Sequence, residues 1–354
     1  MVFYSVFSPL REFFNLNINR IKIINSIMNP ASSNYPEFPR KNRFRILQDL
    51  VLWFLQNKEI GDFYNLYGLD LVQPEHEMKE FQGYRSFMRE RSEGNHNGAN
   101  DSQVVLLRDK FLFYRYMKSN SLPVPEVFAV FRDDELFDVY MNRIEEDNLR
   151  DRKNFFVKDI CGECASFVKR VNDYSDFQNL QLAPHGSYVL QEAIRQHHEM
   201  DRLNSKSINT LRIVTINRNG KTYPLTSLLR VGTEKTGNVD NWAAGGLAVG
   251  INSDGTLKER GFYKPIHGTS TLVHPDSGVV FSEFQVPYYQ EAVNMACRAH
   301  QLFYNVRSIG WDVAIQEDGP IFIEGNDNWE ISLQQACDRP LRKEWNEAME
   351  TQTF

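Results

Sequence analysis

Acidic residues set inside apolar strands near the C-terminal end constrain this chain more than any other feature. Residues 308–329 read SIGWDVAIQEDGPIFIEGNDNW. This is the pattern of two short strands, Gly310–Gln316 and Pro320–Asn326, around the turn residues Glu317, Asp318 and Gly319. Asp and Glu are poor strand formers, yet Val313, Ile315, Ile321 and Ile323 have the spacing of buried strand positions. Side chains alternate along a strand, so the turn decides which of them share a face. A two-residue Asp-Gly loop pairs Asp312 with Gly325 and sends Glu324 to the other side. A three-residue loop, with Gly319 left-handed, pairs Asp312 with Glu324. We expect the second register, which gathers two carboxylates and the Asn326 amide. Such a hard-oxygen set, without histidine or thiol, suits Mg²⁺ held together with phosphates. A solvated hairpin with a wet polar face is the competing explanation.

A chain of 354 residues with 42% hydrophobic and 13% aromatic content buries a sizeable core and has room for several lobes. Its net charge of −6, with no dense basic run, argues against nucleic-acid binding. Four cysteines (Cys161, Cys164, Cys297, Cys337) are too few to staple such a chain and read as reduced thiols of a cytoplasmic protein. The pair Cys161-Gly-Glu-Cys164 finds no second C-x-x-C or spaced histidine pair to complete a zinc site. No uninterrupted apolar window is long enough to span a membrane. Residues 1–10 are apolar but lack a basic leader, so they fit no signal peptide. An amphipathic helix on the body and an extension upstream of a start at Met28 both fit them. H-E-x-x-H and G-x-S-x-G are absent, which removes the zinc-hydrolase and serine-hydrolase classes.

Along the chain, residues 30–39 form a Pro/Ser/Asn-rich linker, and Phe44–Leu55 has the spacing of a buried helix. Helical patterns continue through Asp62–Asp70 and Met78–Arg91. The polar loop EGNHNGANDS at 93–102 is the best boundary, giving an N-terminal mainly helical region over 1–100. Beyond it, Arg108-Asp-Lys opens a helix that runs toward Pro123-Val-Pro125, and Asn154–Val168 reads as strand, loop and strand. Ser187–Ile194 is a strand running into a hinge. Ile208–Ile216 is an alternating strand that puts Arg212 beside Thr210 and Val214, where a buried guanidinium must find an anion. Arg230 follows in LLRVGTEKTGNVDNWAAGG, and Glu291–Tyr304 is an amphipathic helix.

Taken in order, these motifs resemble those of the ATP-grasp superfamily from about residue 105 to residue 340, most closely the sugar-transfer-associated group related to α-L-glutamate ligases. The resemblance implies an α+β fold in which two α+β lobes grip ATP, behind the helical N-terminal lobe. Residues 101–190 would be the lid-bearing lobe and residues 191–354 the lobe with the metal site. It implies that Lys110 and Lys158 meet the phosphates, and that Gln191, Glu192 and Ile194 form the adenine hinge. Asp312, Glu324 and Asn326 match the metal triad, which in this superfamily runs Asp, then Glu-x-Asn. Arg212 and Arg230 would face the transferred phosphoryl group and Asn241 would orient it, with Gly245-Gly246 letting the backbone pass closely. Two departures stand out: the lid loop carries only Gly162 among bulkier residues, and Gln191 stands where an acid is more usual. The implied cofactors are ATP and Mg²⁺, and the implied partners are a small carboxylate and an amine, free or sugar-linked, joined as an amide through an acyl phosphate. A kinase that stops at phosphorylation and an ATP-binding regulatory module without turnover are the alternatives.

Overall fold

The computed structural model describes residues 20–96, 101–162, 167–183, 185–237, 240, 242–265 and 267–350. Two antiparallel sheets carry the chain beyond residue 126. The first runs in the order β3-β2-β1-β6-β4-β5. Its strands are β1 (Val127–Arg132), β2 (Glu135–Phe137), β3 (Arg143–Ile144), β4 (Phe155–Asp159), β5 (Val168–Val171) and β6 (Ser187–Glu192). The second runs β11-β10-β9-β8-β7-β12-β13. It comprises β7 (Thr210–Arg218), β8 (Lys221–Val231), β9 (Leu247–Ile251), β10 (Leu257–Tyr263), β11 (Ser270–Thr271), β12 (Ser308–Gln316) and β13 (Gly319–Asn326).

The N-terminal region is helical in part. Residues 20–28 are helical, followed by α1 (Arg43–Asn57), α2 (Tyr84–Asn95) and α3 (Asp101–Arg108). Helix α1 forms where expected, but it buries only the stripe Ile46, Leu50 and Trp53, while Phe44, Leu47, Val51, Leu52 and Leu55 stay exposed. Its apolar residues exceed one stripe, and a helix packed on one side cannot cover the others. Residues 62–70, expected to be helical, instead form successive turns. Asn65 there bonds back to Ser32, and the fully buried Asp70 pairs with Arg40 at 2.8 Å, so side-chain bonds replace the helical ladder.

Helix α4 (Lys110–Ser119) starts because Asp109 caps it, its carboxylate accepting the N–H groups of Phe111 and Leu112 at 2.9 and 2.8 Å. Phe113, Tyr114 and Met117 then bury the face toward the main core. That core is shared with α5 (Tyr289–Leu302), whose Ala292, Ala296 and Ala299 are fully buried beside Trp311 and Val313 of β12. Helices α6 (Ile331–Cys337) and α7 (Arg342–Glu350) close the chain; Trp345 of α7 packs with Phe87 of α2 and Trp329, tying the helical region to the second sheet.

The β12–β13 hairpin reaches the expected pairing by an unexpected route. Its turn holds two residues, Glu317 and Asp318, with Gln316 opposite Gly319 and Val313 opposite Phe322. Continued unbroken, that register would set Asp312 against Ile323. A register shift between Asp312 and Val313 leaves Ile323 unpaired and restores Asp312 opposite Glu324. The three-residue turn is therefore corrected, while the shared face stands. Gly319 sits at φ +129°, backbone that only glycine adopts readily.

Candidate functional site

Four adjacent strands of the second sheet put one polar row on a single face. Asp312 of β12 lies opposite Arg212 of β7 on one side and Glu324 of β13 on the other. Arg230 of β8 lies opposite Thr210, two positions along β7 from Arg212 and hence on the same face. Both Asp312 oxygens are engaged: Arg212 Nε reaches Oδ1 at 2.5 Å, and Arg212 Nη2 and Arg230 Nη2 reach Oδ2 at 3.1 and 2.8 Å. Burial works to raise this carboxyl, but the two arginines outweigh it and hold Asp312 well below the usual carboxylate range. Burial works in the opposite sense on Arg230, and Asp312, Asp240 and Glu324 outweigh it to keep the guanidinium charged.

Glu324 gains less from the same two arginines, whose pull does not offset what opposes it. Burial and the neighbouring Asp312 both push its carboxyl up, because two carboxylates desolvated side by side resist carrying charge together. Asn326 donates its amide nitrogen to Gly310 O and Glu324 Oε1, each at 3.3 Å, and its amide oxygen takes no hydrogen bond among the described residues. A strained carboxylate pair beside a free amide oxygen is a hard-oxygen donor set that a divalent cation would relieve, so the residues present fit Mg²⁺. The Glu324-Gly325-Asn326 spacing also serves packing. A Cβ on Gly325 would come within 2.8 Å of Leu107 Cδ2 and 2.9 Å of Trp311 Cζ3, so glycine lets the hairpin press its other face onto the core.

The first sheet and α4 supply one cation each near this row. Lys158 of β4 donates to Gln191 Oε1 of β6 at 2.7 Å, and Gln191 is buried. Burial lowers the Lys158 ammonium to about 8, Glu324 opposing and Lys110 reinforcing the shift. Lys158 therefore lies near enough to feel both Glu324 of the second sheet and Lys110. Lys110, at the first position of α4, donates to Gly162 O at 2.6 Å. Glu192 turns away, exposed and 3.5 Å from Arg152, while its backbone N–H is bound to Glu126 O. Ile194 is half-buried in the connector after β6. Asn241 and Cys164 lie outside the described residues. Among the described cysteines none is paired, and burial raises the Cys161 thiol, with Asp109 and Asp159 adding to it, so it is not a thiolate.

Several residues around the row carry no motif. Asp240 accepts both the backbone N–H, at 3.1 Å, and the hydroxyl of Thr210, and stands 3.7 Å from Arg230. Burial raises its carboxyl against the pull of Arg230. Arg230 in turn donates to Thr210 Oγ1 from Nε and Nη2, at 3.0 and 2.8 Å. Asp327 fastens the end of the hairpin to the helical region: His96 Nε2 lies 2.9 Å from it, and Arg108 grips it at 2.9 and 2.8 Å. The position of Asp240 just ahead of Trp242 in the loop after Arg230 was the only available signal for it. Arg212 and Arg230 also border a cavity of about 620 Å³ whose other wall belongs to the N-terminal region.

Residues 174–350, half of the chain, match a family described as sugar-transfer associated ATP-grasp. No curated protein matches the chain in sequence. Among solved structures, the chain is similar to N5-carboxyaminoimidazole ribonucleotide synthetase from Thermotoga maritima, at 13% identity and TM-score 0.36 over 63% of this chain and 42% of that one. It is also similar to D-alanine–D-alanine ligase from Bacillus anthracis, at 12% identity and TM-score 0.37 over 69% of this chain and 65% of that one. The same ligase from Helicobacter pylori shows 9% identity and TM-score 0.40 over 70% of this chain and 62% of that one. The chain thus spans between 42% and 65% of the length of these structures. Among the described residues, no helix is long and apolar enough to cross a membrane.

Proposed function

The chain belongs to the sugar-transfer associated ATP-grasp family, and on that premise we propose that it is an ATP-dependent carboxylate–amine ligase acting in polysaccharide or glycoconjugate modification. The observation that carries this reading is the facing of two charge sets. Lys158 comes from the first sheet and Lys110 from the first turn of α4, while Arg212, Arg230, Asp312, Glu324 and Asn326 come from the second sheet. Phosphoryl transfer asks a protein mainly for positioning and for charge placed where the moving group carries its own.

In the proposed reaction, a carboxylate oxygen of the acid bonds to the γ-phosphorus of ATP. The bond from that phosphorus to the bridging oxygen breaks, and ADP leaves with the electron pair. An amine then attacks the acyl carbon, phosphate departs, and the amine's proton passes to solvent or base. Lys110 and Lys158 would hold the triphosphate. Arg230 and Arg212 would meet the charge on the moving phosphoryl group, with Asp312 and Asp240 fixing the two guanidinium planes. Gln191, together with the backbone of Glu192 and the side chain of Ile194, would border the adenine, and Asn241 is proposed to orient the phosphoryl group. Glu324 and Asn326, with Asp312 beside them, would hold Mg²⁺, which when bound neutralises phosphate charge.

The test is ADP release from the purified chain with Mg-ATP and panels of acids and amines. Release that needs both an acid and an amine supports a ligase. Release with the acid alone would make the protein a kinase, and no release with any pair would favour a binding module.

A further inference from the structure

The cavity of about 620 Å³ beside Arg212 and Arg230 has a chemistry that selects among acids. Its size falls within the ~300–1,000 Å³ typical of sites for ligands of drug-like size, well beyond what a two- or three-carbon amino acid fills. Arg212 and Arg230 stand at one part of its lining, so a carboxylate placed there is next to the proposed phosphoryl transfer. Much of the rest is flat and aromatic: Trp53, Phe63 and Tyr67 from the helical region and Trp242 from the loop before β9.

These rings are held in place. Tyr67 stacks on Phe81 with centroids 4.4 Å apart, and its hydroxyl accepts from Gln335 Nε2 at 3.2 Å. Trp242 is 8% exposed and gives its indole N–H to Phe262 O at 3.0 Å. A rigid aromatic face offers a negative quadrupole to the C–H groups of a saturated ring.

The polar groups between the rings include both acceptors and cations. Glu59 and Glu330 line the cavity while capping helices: Glu59 accepts the N–H groups of Tyr84 and Arg85, each at 2.7 Å, and Glu330 accepts that of Ser332 at 2.6 Å. Gln334 is 1% exposed, lines the cavity, and its Oε1 has no hydrogen-bond partner. A buried carbonyl left without a donor is costly, so a ligand bringing an O–H to it gains more than an ordinary surface contact. Arg20, Arg85 and Lys264 supply cations, the Lys264 ammonium lying 6.0 Å from the Trp242 ring centroid and in no ion pair with a described residue.

From the aromatic wall, the unpartnered Gln334 carbonyl and the adjoining arginines, we infer that the acid activated here is a sugar acid, a pyranose ring bearing a carboxylate. Its carboxylate meets Arg212 and Arg230, its ring lies on the aromatic wall, and one hydroxyl satisfies Gln334. This deepens the ligase reading and rests on it.

The test is calorimetric titration of the full chain, with Mg²⁺ and a non-hydrolysable ATP analogue, using D-glucuronate, D-galacturonate, D-glucose, L-alanine and L-glutamate. A uronate should bind at least about tenfold more tightly than glucose, which lacks the carboxylate, and more tightly than either amino acid. Gln334→Met keeps the size of a buried side chain and should weaken the uronate about fivefold, the scale of one lost hydrogen bond. Lys264→Met, at a half-buried position where methionine keeps most of the side chain's length, should weaken it several-fold and covers the case in which Gln334→Met does not fold. The inference is overturned if neither uronate binds, if an amino acid binds more tightly, or if both folded variants bind the uronate as the parent does. The analogue's own titration separates the two claims. An analogue that binds while only amino acids fill the cavity leaves the ligase standing and removes the sugar acid; an analogue that does not bind removes the ligase reading itself.

Discussion

Lys158 offers a direct measure of whether the gap between the sheets receives a triphosphate. Burial holds its ammonium at about 8 in the free protein, with Glu324 opposing and Lys110 reinforcing that shift. A bound triphosphate stabilises the charged form, returning the ammonium to or above its ordinary value of about 10.4. Between those two values the complex carries one proton more than the free protein. Binding then takes up a proton, and affinity falls by up to tenfold per pH unit. From about pH 7 to about pH 9.5 the dissociation constant of a non-hydrolysable ATP analogue should rise about 30-fold. Titration calorimetry in two buffers of different ionisation enthalpy reads both the affinity and the proton, whose uptake should approach one at the upper pH. Lys158→Met should bind weakly and lose this slope, and Lys158→Ala should bind weakly without unfolding. An affinity that stays flat in the parent protein would refute the reasoning. The same slope persisting in folded Lys158→Met would assign the proton to another group.

Further expectations follow from the second sheet and its core. Arg230→Ala should lower kcat by roughly 10²–10³ while moving the affinity for ATP much less, since its contact is proposed to strengthen only as charge moves; Arg230→Lys should recover part, and steady-state kinetics with an active substrate pair decide it. Because Arg230→Ala also leaves the buried Asp240 without its cation and Asp312 with Arg212 alone, its unfolding free energy should fall too, by up to about 3–5 kcal/mol. His300 should make the protein acid-sensitive. Its Nε2–H donates to Val306 O at 2.8 Å, so Nδ1 accepts from the Thr215 hydroxyl at 2.7 Å, and burial holds the ring at about 4. The unfolded chain takes up this proton near pH 6.5 and the native one does not, so stability is lost as pH falls from there, approaching about 3 kcal/mol near pH 4. Urea unfolding across that range should show the slope, and His300→Gln should flatten it. Gly325→Ala should destabilise by about 1–3 kcal/mol, the usual cost of overpacking, through its contacts with Leu107 and Trp311; an unchanged urea midpoint would mean those side chains give way.

How much of this was legible in the sequence depends on how local each cause is. The strands Thr210–Arg218, Ser308–Gln316 and Gly319–Asn326 follow from alternation, and the start of α4 follows from Asp109 ahead of an apolar stripe. Ordered motifs were enough to identify the family. The sharing of a face by Asp312 and Glu324 was expected, but the route to it was not. A turn and a bulge each shift the register by one residue, and only the sum reaches the pairing, so the sequence admits several routes to it. Tertiary structure alone decided that both Asp312 oxygens are held by Arg212 and Arg230, because the four strands meet only once the sheet is assembled. It decided likewise that residues 62–70 form turns, since Asn65 and Asp70 find partners some thirty residues away. The cavity is the clearest case. Trp53, Tyr67, Trp242 and Gln334 are spread along the chain with no spacing that joins them, and each reads alone as an ordinary core residue. Sequence patterns report which face a side chain takes on its own element; packing between distant elements decides what that face meets.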